Sequence, residues 1–266
     1  MNDIFVVDSF TDRAYRGNPA GVRLVGELEA DARMQNIAQE LNLSETAFVA
    51  YDREKEVQPI RFFSPKMEIP LCGHATLAAA KVLFETEGWE SLTFENVDGL
   101  KLNVTKVADQ IEMQFPIYRI RDASAPSALL AALQVQKVVY CGFNEETQIL
   151  MLELTTTEEV CRLKPDFRAL LSAHDSINGV VVTAQADDKF DFYSRYFWPW
   201  SGGDEDPVTG GTQTFLASYW SRRLGKSKLR SYQASQRGGQ IEVEVTNKSL
   251  WIRGAAVIVL QGNLLV

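Results

Sequence analysis

The stretch FFSPKMEIPLCGHATLAAA (Phe62–Ala80) has a counterpart later in the chain, YFWPWSGGDEDPVTGGTQTFLA (Tyr196–Ala217). In each, an aromatic run ends in a proline. Seven residues after that proline stands a residue able to handle protons, Cys72 in the first copy and Asp206 in the second. A turn containing glycine and an apolar segment follow. This shared spacing predicts an internal repeat.

The apolar segments of the two copies predict the centres of two domains. Ala75–Phe84 and Thr212–Leu224 are apolar around most of their circumference, which is typical of helices buried on nearly every side. Asp31–Leu41 is different, because its apolar residues lie on one face and Asn42 follows as a C-terminal cap.

Strand patterns dominate the rest of the chain. Many runs are separated by only a few turn residues, which favours antiparallel hairpins because parallel pairs need long crossovers. We therefore predict an α+β fold of two similar domains, each a mostly antiparallel sheet rolled around a central buried helix. The predicted strands are Ile4–Phe10, Thr46–Tyr51, Ile60–Phe63, Ser91–Phe94, Leu100–Val107, Gln110–Phe115, Lys137–Phe143, Gln148–Leu154, Gly179–Ala184, Phe190–Trp198, Gln240–Thr246 and Leu250–Arg253.

Domain boundaries follow from a polar stretch, Arg119–Pro126, which we interpret as a linker. The first domain is predicted to span residues 1–118 and also to include about the last dozen residues, 254–266. The second spans residues 119–253. A duplicated unit of this kind places its two glycine turns across an interdomain cleft, where ligands preferentially bind.

Composition excludes several classes of function. The 266 residues carry a formal charge of −8, whereas phosphate binding needs a positive field. We therefore expect no nucleic-acid partner and no docking on an acidic membrane. The N-terminal residues do not resemble a signal peptide, and no apolar stretch approaches transmembrane length. Three widely spaced cysteines without a CxxC motif predict a reducing, cytoplasmic location.

The glycine turns are candidate anion sites. Gly73-His74-Ala75 and Gly210-Gly211-Thr212 each precede or begin a predicted helix. Helix N-termini present unpaired N–H groups and a positive dipole end, and two of them would hold a carboxylate. The alternative is that the glycines only permit tight turns.

Single residues near these turns carry weaker signals. Cys72 and His74 are two positions apart, so they rarely face each other as a nucleophile and base would need to. A metal site is not expected, because the chain has only two histidines and His174 lies in a distant polar stretch. Free cysteine is usually a small buried hydrophobe. Asn18-Pro19 is predicted as a turn by composition.

Four stretches match one family. They are VDSFTDRAYRGNPAGV (Val7–Val22), LNLSETAFV (Leu41–Val49), IRFFSPKMEIPLCGHATLAAA (Ile60–Ala80) and GDEDPVTGG (Gly203–Gly211). The motifs GNPA, SET, CGHAT and EDPVTG occur in the family's order and span most of the chain. The sequence thus resembles the PhzF-like isomerase family of phenazine biosynthesis, which has a diaminopimelate epimerase-like fold.

The resemblance implies proton shuttling without a cofactor, on a small carboxylate substrate, in a homodimer. The family's acid/base glutamate falls on Glu45, its active-site histidine on His74 and its second acidic residue on Asp206. No metal is implied. The residues implied to bind substrate are Asn18, Ser44, Cys72, Gly73, Gly210, Gly211 and Thr212.

The second turn departs from the family pattern. The family commonly continues PVTG with Ser-Ala-His, whereas this chain has Gly211, Thr212 and Gln213. A serine hydroxyl and an imidazole are therefore absent, and Thr212 is the residue placed to supply a hydroxyl from one position later. The family's reference substrate, a dihydro-hydroxyanthranilate, does not transfer directly to this chain.

Three functions follow from these residues. The first is isomerisation, with Glu45 removing a proton from one carbon and returning it to another. The second is a two-base racemase or epimerase that uses Cys72 and Asp206. The third is a non-catalytic protein that binds small acids. Substituting Cys72 would abolish only the racemase, and a binding protein would survive Glu45→Gln.

Overall fold

The computed structural model describes residues 3–175, 177–200 and 203–265. Its helices are α1 (Asp31–Leu41), α2 (Gly73–Glu87), α3 (Ser127–Leu133), α4 (Thr157–Arg162), α5 (Phe167–Ala173) and α6 (Gln213–Leu224). Its strands are β1 (Asp3–Ser9), β2 (Asn18–Val25), β3 (Glu45–Ala50), β4 (Val57–Phe63), β5 (Glu68–Ile69), β6 (Ser91–Glu95), β7 (Lys101–Val107), β8 (Gln110–Phe115), β9 (Arg121–Asp122), β10 (Tyr140–Asn144), β11 (Ile149–Glu153), β12 (Gly179–Gln185), β13 (Phe192–Trp198), β14 (Gly203–Asp206), β15 (Lys228–Gln233), β16 (Gly239–Val245), β17 (Leu250–Gly254) and β18 (Ala256–Asn263).

The chain divides into two compact units. The first comprises Met1–Gln114 and Trp251–Val266, and the second comprises Phe115–Leu250. The stretch interpreted as a linker, Arg119–Pro126, contains β9, which pairs with β10 inside the second unit.

The first unit is a sheet packed around α2. Its strand pairs run β18–β1–β2 antiparallel, β2–β3 parallel, β3–β4 antiparallel, β4–β6 parallel and β6–β7–β8 antiparallel. Helix α2 contacts β1, β2, β3 and β18 and buries apolar side chains on all its faces. An all-round apolar helix is stable only in such surroundings.

The second unit repeats the same order of pairing. Its pairs run β9–β10–β11 antiparallel, β11–β12 parallel, β12–β13 antiparallel, β13–β15 parallel and β15–β16 antiparallel. Helix α6 contacts β15 and β16 and buries Phe215, Leu216 and Trp220. The repeat inferred from the two proline-to-glycine stretches is therefore present as a duplicated topology.

Local predictions had mixed outcomes. Helix α1 has the predicted bounds, and Asn42 ends it in a left-handed conformation with its N–H donating to the Ala38 carbonyl. The turn predicted at Asn18-Pro19 is wrong, because both residues belong to β2. Proline is tolerated there because it lies at the start of the strand, before pairing with β3 begins at Ala20.

No helix among the described residues is long and apolar enough to cross a membrane.

Candidate active site

The first glycine turn places His74 at the beginning of α2. Cys72 is the last extended residue, and its carbonyl accepts hydrogen bonds from the backbone N–H of Thr76 (3.0 Å) and from its hydroxyl (2.7 Å). Gly73 and His74 follow in the first helical turn, where N–H groups have no intrahelical acceptor. Because α2 is buried on all sides, this N-terminus is held in a fixed position.

Glu45 reaches the same position from the sheet. It is the first residue of β3, pairs with Ala20 in the parallel β2–β3 ladder, and is 4% exposed. Ser44 lies half-buried just before the strand. The Glu45 carboxylate lies 3.0 Å from Nε2 of His74, which is itself 6% exposed. A buried acid and a buried imidazole are thus in direct contact.

The electrostatics favour a charged His74. Burial disfavours the imidazolium, but Cys72 and Glu45 beside the ring outweigh it and hold the pKa of His74 well above its ordinary value. Burial raises the pKa of the Cys72 thiol. The 3.0 Å contact makes Nε2 the ring nitrogen that donates a hydrogen bond to the Glu45 carboxylate.

Two strands position the other side of the ring. Nδ1 of His74 lies 3.3 Å from the Asn18 amide nitrogen and 3.4 Å from the Cys72 sulfur. The Ser9 hydroxyl donates to the backbone carbonyl of His74 at 2.8 Å. Ser9 and Asn18 are direct partners in the β1–β2 ladder. Ser9 was not predicted as a site residue, although it lies in the VDSF stretch that carries the resemblance.

The second glycine turn is built around Asp206. Its carboxylate accepts a hydrogen bond from the Thr209 hydroxyl, and its backbone carbonyl accepts one from the Gln233 side chain at 2.7 Å. The Gln233 side-chain oxygen in turn accepts the Thr209 N–H at 2.9 Å. Gln233 lies on β15, 27 residues beyond Asp206, and no feature of the sequence pointed to it.

Hydroxyls in this turn bind backbone carbonyls. Thr212 is fully buried and donates to the Thr209 carbonyl at 3.0 Å, and Thr214 donates to the Gly211 carbonyl at 2.7 Å. To replace a substrate-binding serine, the Thr212 hydroxyl would have to leave Thr209. A Cβ atom added to Gly211, by contrast, would meet no atom within 4 Å. The open space of the turn therefore lies at Gly211.

The two turns are not equivalent at residue level. Cys72 directly precedes α2, whereas Asp206 ends β14 and lies seven residues before Gln213, the first residue of α6. Counted from the helix starts, Thr212 holds the position of Cys72. The equal spacing from the prolines therefore does not make Cys72 and Asp206 structural counterparts.

The first turn also brings together a set of possible metal ligands. Donor atoms of Glu45, Cys72 and His74 all lie within 4.8 Å of one another. Composition did not suggest this set, because it combines three residue types from two distant segments of the chain.

Asp206 and the Gly210–Thr212 turn belong to the second unit. The cleft between domains inferred from the sequence stays a prediction.

Comparisons with known proteins agree with these features. The model of the phenazine biosynthesis-like protein family, PhzC-PhzF, matches residues 7–262. An uncharacterized isomerase of Pseudomonas aeruginosa is 42% identical over 97% of this chain and 96% of its own. A crystal structure of a PhzF-family protein from Enterococcus faecalis covers 99% of both chains with 37% identity and a TM-score of 0.92.

A more distant structure bears on the fold alone. A probable proline racemase from Agrobacterium radiobacter has 11% identity and a TM-score of 0.67, and the match covers 99% of this chain and 93% of the racemase. Together with the PhzF-family structure, it confirms the predicted fold, which is of the diaminopimelate epimerase type.

Proposed function

Because the chain belongs to the phenazine biosynthesis-like (PhzC-PhzF) family and is an isomerase, we propose that it relocates a proton on a small carboxylate-bearing substrate, with Glu45 as the acid/base. The observation that carries this proposal is the 3.0 Å contact between the Glu45 carboxylate and Nε2 of His74. It joins a proton acceptor and a proton-bearing ring, and the two residues are only 4% and 6% exposed.

In the proposed reaction, the Glu45 carboxylate removes a proton from a carbon next to an electron-withdrawing group. The electron pair left behind shifts along the conjugated substrate. Glu45, now a carboxylic acid whose proton exchanges with solvent, donates a proton to a different carbon, so the substrate and the product have the same composition. The His74 imidazolium holds the Glu45 carboxylate by an ion pair between transfers, and Asn18 and Ser9 keep the ring in position.

Backbone groups supply the binding of the substrate carboxylate in this proposal. The amides of Gly73 and His74 open helix α2, where the helix dipole favours an anion. Gly210 and Gly211 would play the same part before α6, and the space beside Gly211 leaves room for a substituent. Ser44, just before Glu45, is proposed to bind a polar group of the substrate. Asp206 would accept a hydrogen bond from it.

A two-base racemase is the second candidate. It is favoured by the 3.4 Å distance between the Cys72 sulfur and Nδ1 of His74, an arrangement able to move the thiol proton. Two observations weigh against it. Burial raises the pKa of the Cys72 thiol, and Asp206 is not the structural counterpart of Cys72. The non-catalytic alternative is set aside, because the chain is an isomerase.

Deuterium exchange tests the proposal. The protein would be incubated in heavy water with a panel of small unsaturated and amino acids, including a dihydro-hydroxyanthranilate, and products would be followed by NMR. We expect an isomerised product that carries solvent deuterium, its loss in Glu45→Gln, and its retention in Glu40→Gln, which changes an exposed glutamate of α1. Exchange that survives Glu45→Gln but disappears in Cys72→Ser would overturn the proposal in favour of the racemase.

Location and assembly stay predictions. Absence of a cofactor, a cytoplasmic location and a homodimer were inferred from the sequence and the resemblance. We retain them as part of the proposal, and sedimentation of the purified protein would test the homodimer.

A further inference from the structure

The second unit contains a cavity that no step of the proposed reaction uses. Its volume is about 260 Å³, and it lies where the segment after α3 meets the end of β11 and the last turn of α4. Neither Glu45 and His74 nor the turn that contains Asp206 contributes to its lining. Ligand pockets for drug-sized molecules are typically about 300–1,000 Å³, so this one suits a molecule with a single ring or a short alkyl chain.

The buried residues that line the cavity are apolar. Leu154 and Leu163 are 2% and 8% exposed and belong to the hydrophobic core of the second unit. Val135 is half-buried and packs against the same core. Apolar surface in a concave site favours a ligand that has an apolar body.

Two cations at the same cavity have no partner in the protein. Lys137 and Arg162 are exposed, and neither side chain forms a hydrogen bond or an ion pair with any residue that the structure describes. Elsewhere in this unit a cation such as Arg223 pairs with a carboxylate, that of Glu153, at 2.8 Å. Because the chain has a formal charge of −8, a shortage of carboxylates does not explain the two free cations.

The one acidic residue of the lining does not neutralise both cations. The Glu159 carboxylate accepts the backbone N–H groups of Thr155 and Thr156 at 2.9 and 3.3 Å, in the capping box that begins α4. Two cations against one carboxylate leave the cavity with a positive charge. Together with the apolar surface, this charge fits an organic anion.

A second cavity shares Arg162 with the first. Its lining includes Asp187 and Asp188, yet no ion pair joins either aspartate to Arg162 within residues 3–175, 177–200 and 203–265. The Asp188 carboxylate instead accepts the N–H of Phe190 at 2.8 Å and the hydroxyl of Tyr193 at 2.9 Å. The guanidinium of Arg162 is therefore free to bind an external anion.

A buried arginine holds one wall of the cavity in place. Nη1 of Arg195 donates to the carbonyls of Leu163 at 2.8 Å and Val160 at 3.3 Å. Its Nε and Nη2 bind the two oxygens of the Glu205 carboxylate at 2.7 and 2.8 Å. The end of α4, which carries Arg162, is thus fixed before a ligand arrives, and a preformed site loses less conformational entropy on binding.

We propose that this cavity binds a small organic carboxylate with an apolar body, at a site other than the proposed catalytic one. Arg162 donates two parallel hydrogen bonds to the carboxylate, which matches the fork of its guanidinium. Lys137 adds a second positive charge. The apolar body packs on Val135, Leu154 and Leu163. Binding is non-covalent, and it does not depend on the proposed isomerisation.

Methyl NMR tests the site at its own residues. In protein labelled at leucine and valine methyl groups, the signals of Val135, Leu154 and Leu163 would be assigned by substituting each with isoleucine. Benzoate is the probe, because it combines one carboxylate with one ring, and we expect it to shift all three sets of signals until they saturate. Benzyl alcohol keeps the ring without the charge, and acetate keeps the charge without the ring. Each should bind at least about tenfold more weakly than benzoate.

Substitutions of the two cations provide the second test. Arg162→Gln should weaken benzoate binding about tenfold or more, because two charge-assisted hydrogen bonds are lost, and Arg162→Lys should recover part of that loss. Lys137→Gln should weaken binding about threefold. Arg168→Gln and Lys101→Gln change exposed cations outside the lining and should bind benzoate as the wild type does. Thermal unfolding identifies any variant that is misfolded.

Defined results would overturn the proposal. It fails if benzoate up to about 10 mM leaves the three sets of methyl signals unmoved, or if Arg162→Gln binds benzoate as tightly as the wild type does. It also fails if benzyl alcohol or inorganic phosphate binds as tightly as benzoate, since the cavity would then select an apolar body alone or a simple anion. Benzoate bound at the candidate active site alone would leave these signals in place and count against the proposal. None of these results depends on deuterium exchange, so this proposal and the proposed function fail separately.

Discussion

Gln233 bridges both ends of the turn that contains Asp206. Its side-chain nitrogen donates to the Asp206 carbonyl at 2.7 Å, and its side-chain oxygen accepts the Thr209 N–H at 2.9 Å. The side-chain amide of this β15 residue thus fixes a turn that is distant from it in the sequence. The second half of the candidate site consequently depends on a residue that is 3% exposed and has no part in the proton transfer itself.

Substitution of Gln233 should damage this turn. Gln233→Ala leaves the Asp206 carbonyl and the Thr209 N–H without their partner, and a buried unpaired polar group is destabilising by roughly 1–3 kcal/mol. We expect urea unfolding to show this loss and substrate affinity to fall together with it. Gln240→Ala, at an exposed position of β16, is the control. An unchanged free energy of unfolding in Gln233→Ala would contradict the assignment.

Gly211 should accept a side chain. Because a Cβ atom there meets nothing within 4 Å, Gly211→Ser is expected to change the free energy of unfolding by less than about 1 kcal/mol. The variant restores the serine that the family commonly has at this position, so its range of substrates in the heavy-water panel should shift. A well-folded Gly211→Ser with an unaltered range would show that this position does not contact the substrate.

Gly17 should behave in the opposite way. Its φ is +65°, and a Cβ atom there would overlap the carbonyl oxygen of Ser9, the residue whose hydroxyl binds His74. Gly17→Ala is expected to lower the free energy of unfolding by at least about 2 kcal/mol, through backbone strain and overlap together. Thermal unfolding beside Gly26→Ala, where the added atom meets nothing, provides the comparison. Equal stability of the two variants would refute this account.

Acid stability should depend on Glu29. Hydrogen bonds from Arg23, which is 2% exposed, lower the pKa of Glu29, with a further contribution from Arg33. A lowered pKa gives stability that is present above the unfolded value of about 4.3 and is lost as pH falls through the folded value. Glu29→Gln should therefore flatten the decline in stability between about pH 5 and pH 3, and lower stability at neutral pH by about 2 kcal/mol.

The check is urea unfolding across that range. Glu27→Gln, which changes an exposed neighbour, should retain the slope of the wild type. If Glu29→Gln kept the same acid slope, the ion pair with Arg23 could not be its source.

Local patterns predicted the helices, because α1 has a single apolar face and α2 is apolar around its circumference. The turn at Gly73-His74 was located from the start of α2. Strand β15 was missed because its buried positions include Ser231 and Gln233, so no apolar alternation marks it. Gln233 could not be assigned to the site for the same reason, since its partners come from tertiary pairing. Asn18-Pro19 was missed because composition cannot distinguish a turn from the first residues of a strand.

The pairing of β18 with β1 has a consequence for synthesis of the chain. Residues 256–263 are synthesised after the whole of the second unit, yet they form the ladder beside residues 3–9 in the first unit. The second unit has emerged in full by then. Of the two units, the one that holds Glu45 and His74 is therefore the later to be synthesised in full, and β1 lacks its partner β18 until the second unit has been made.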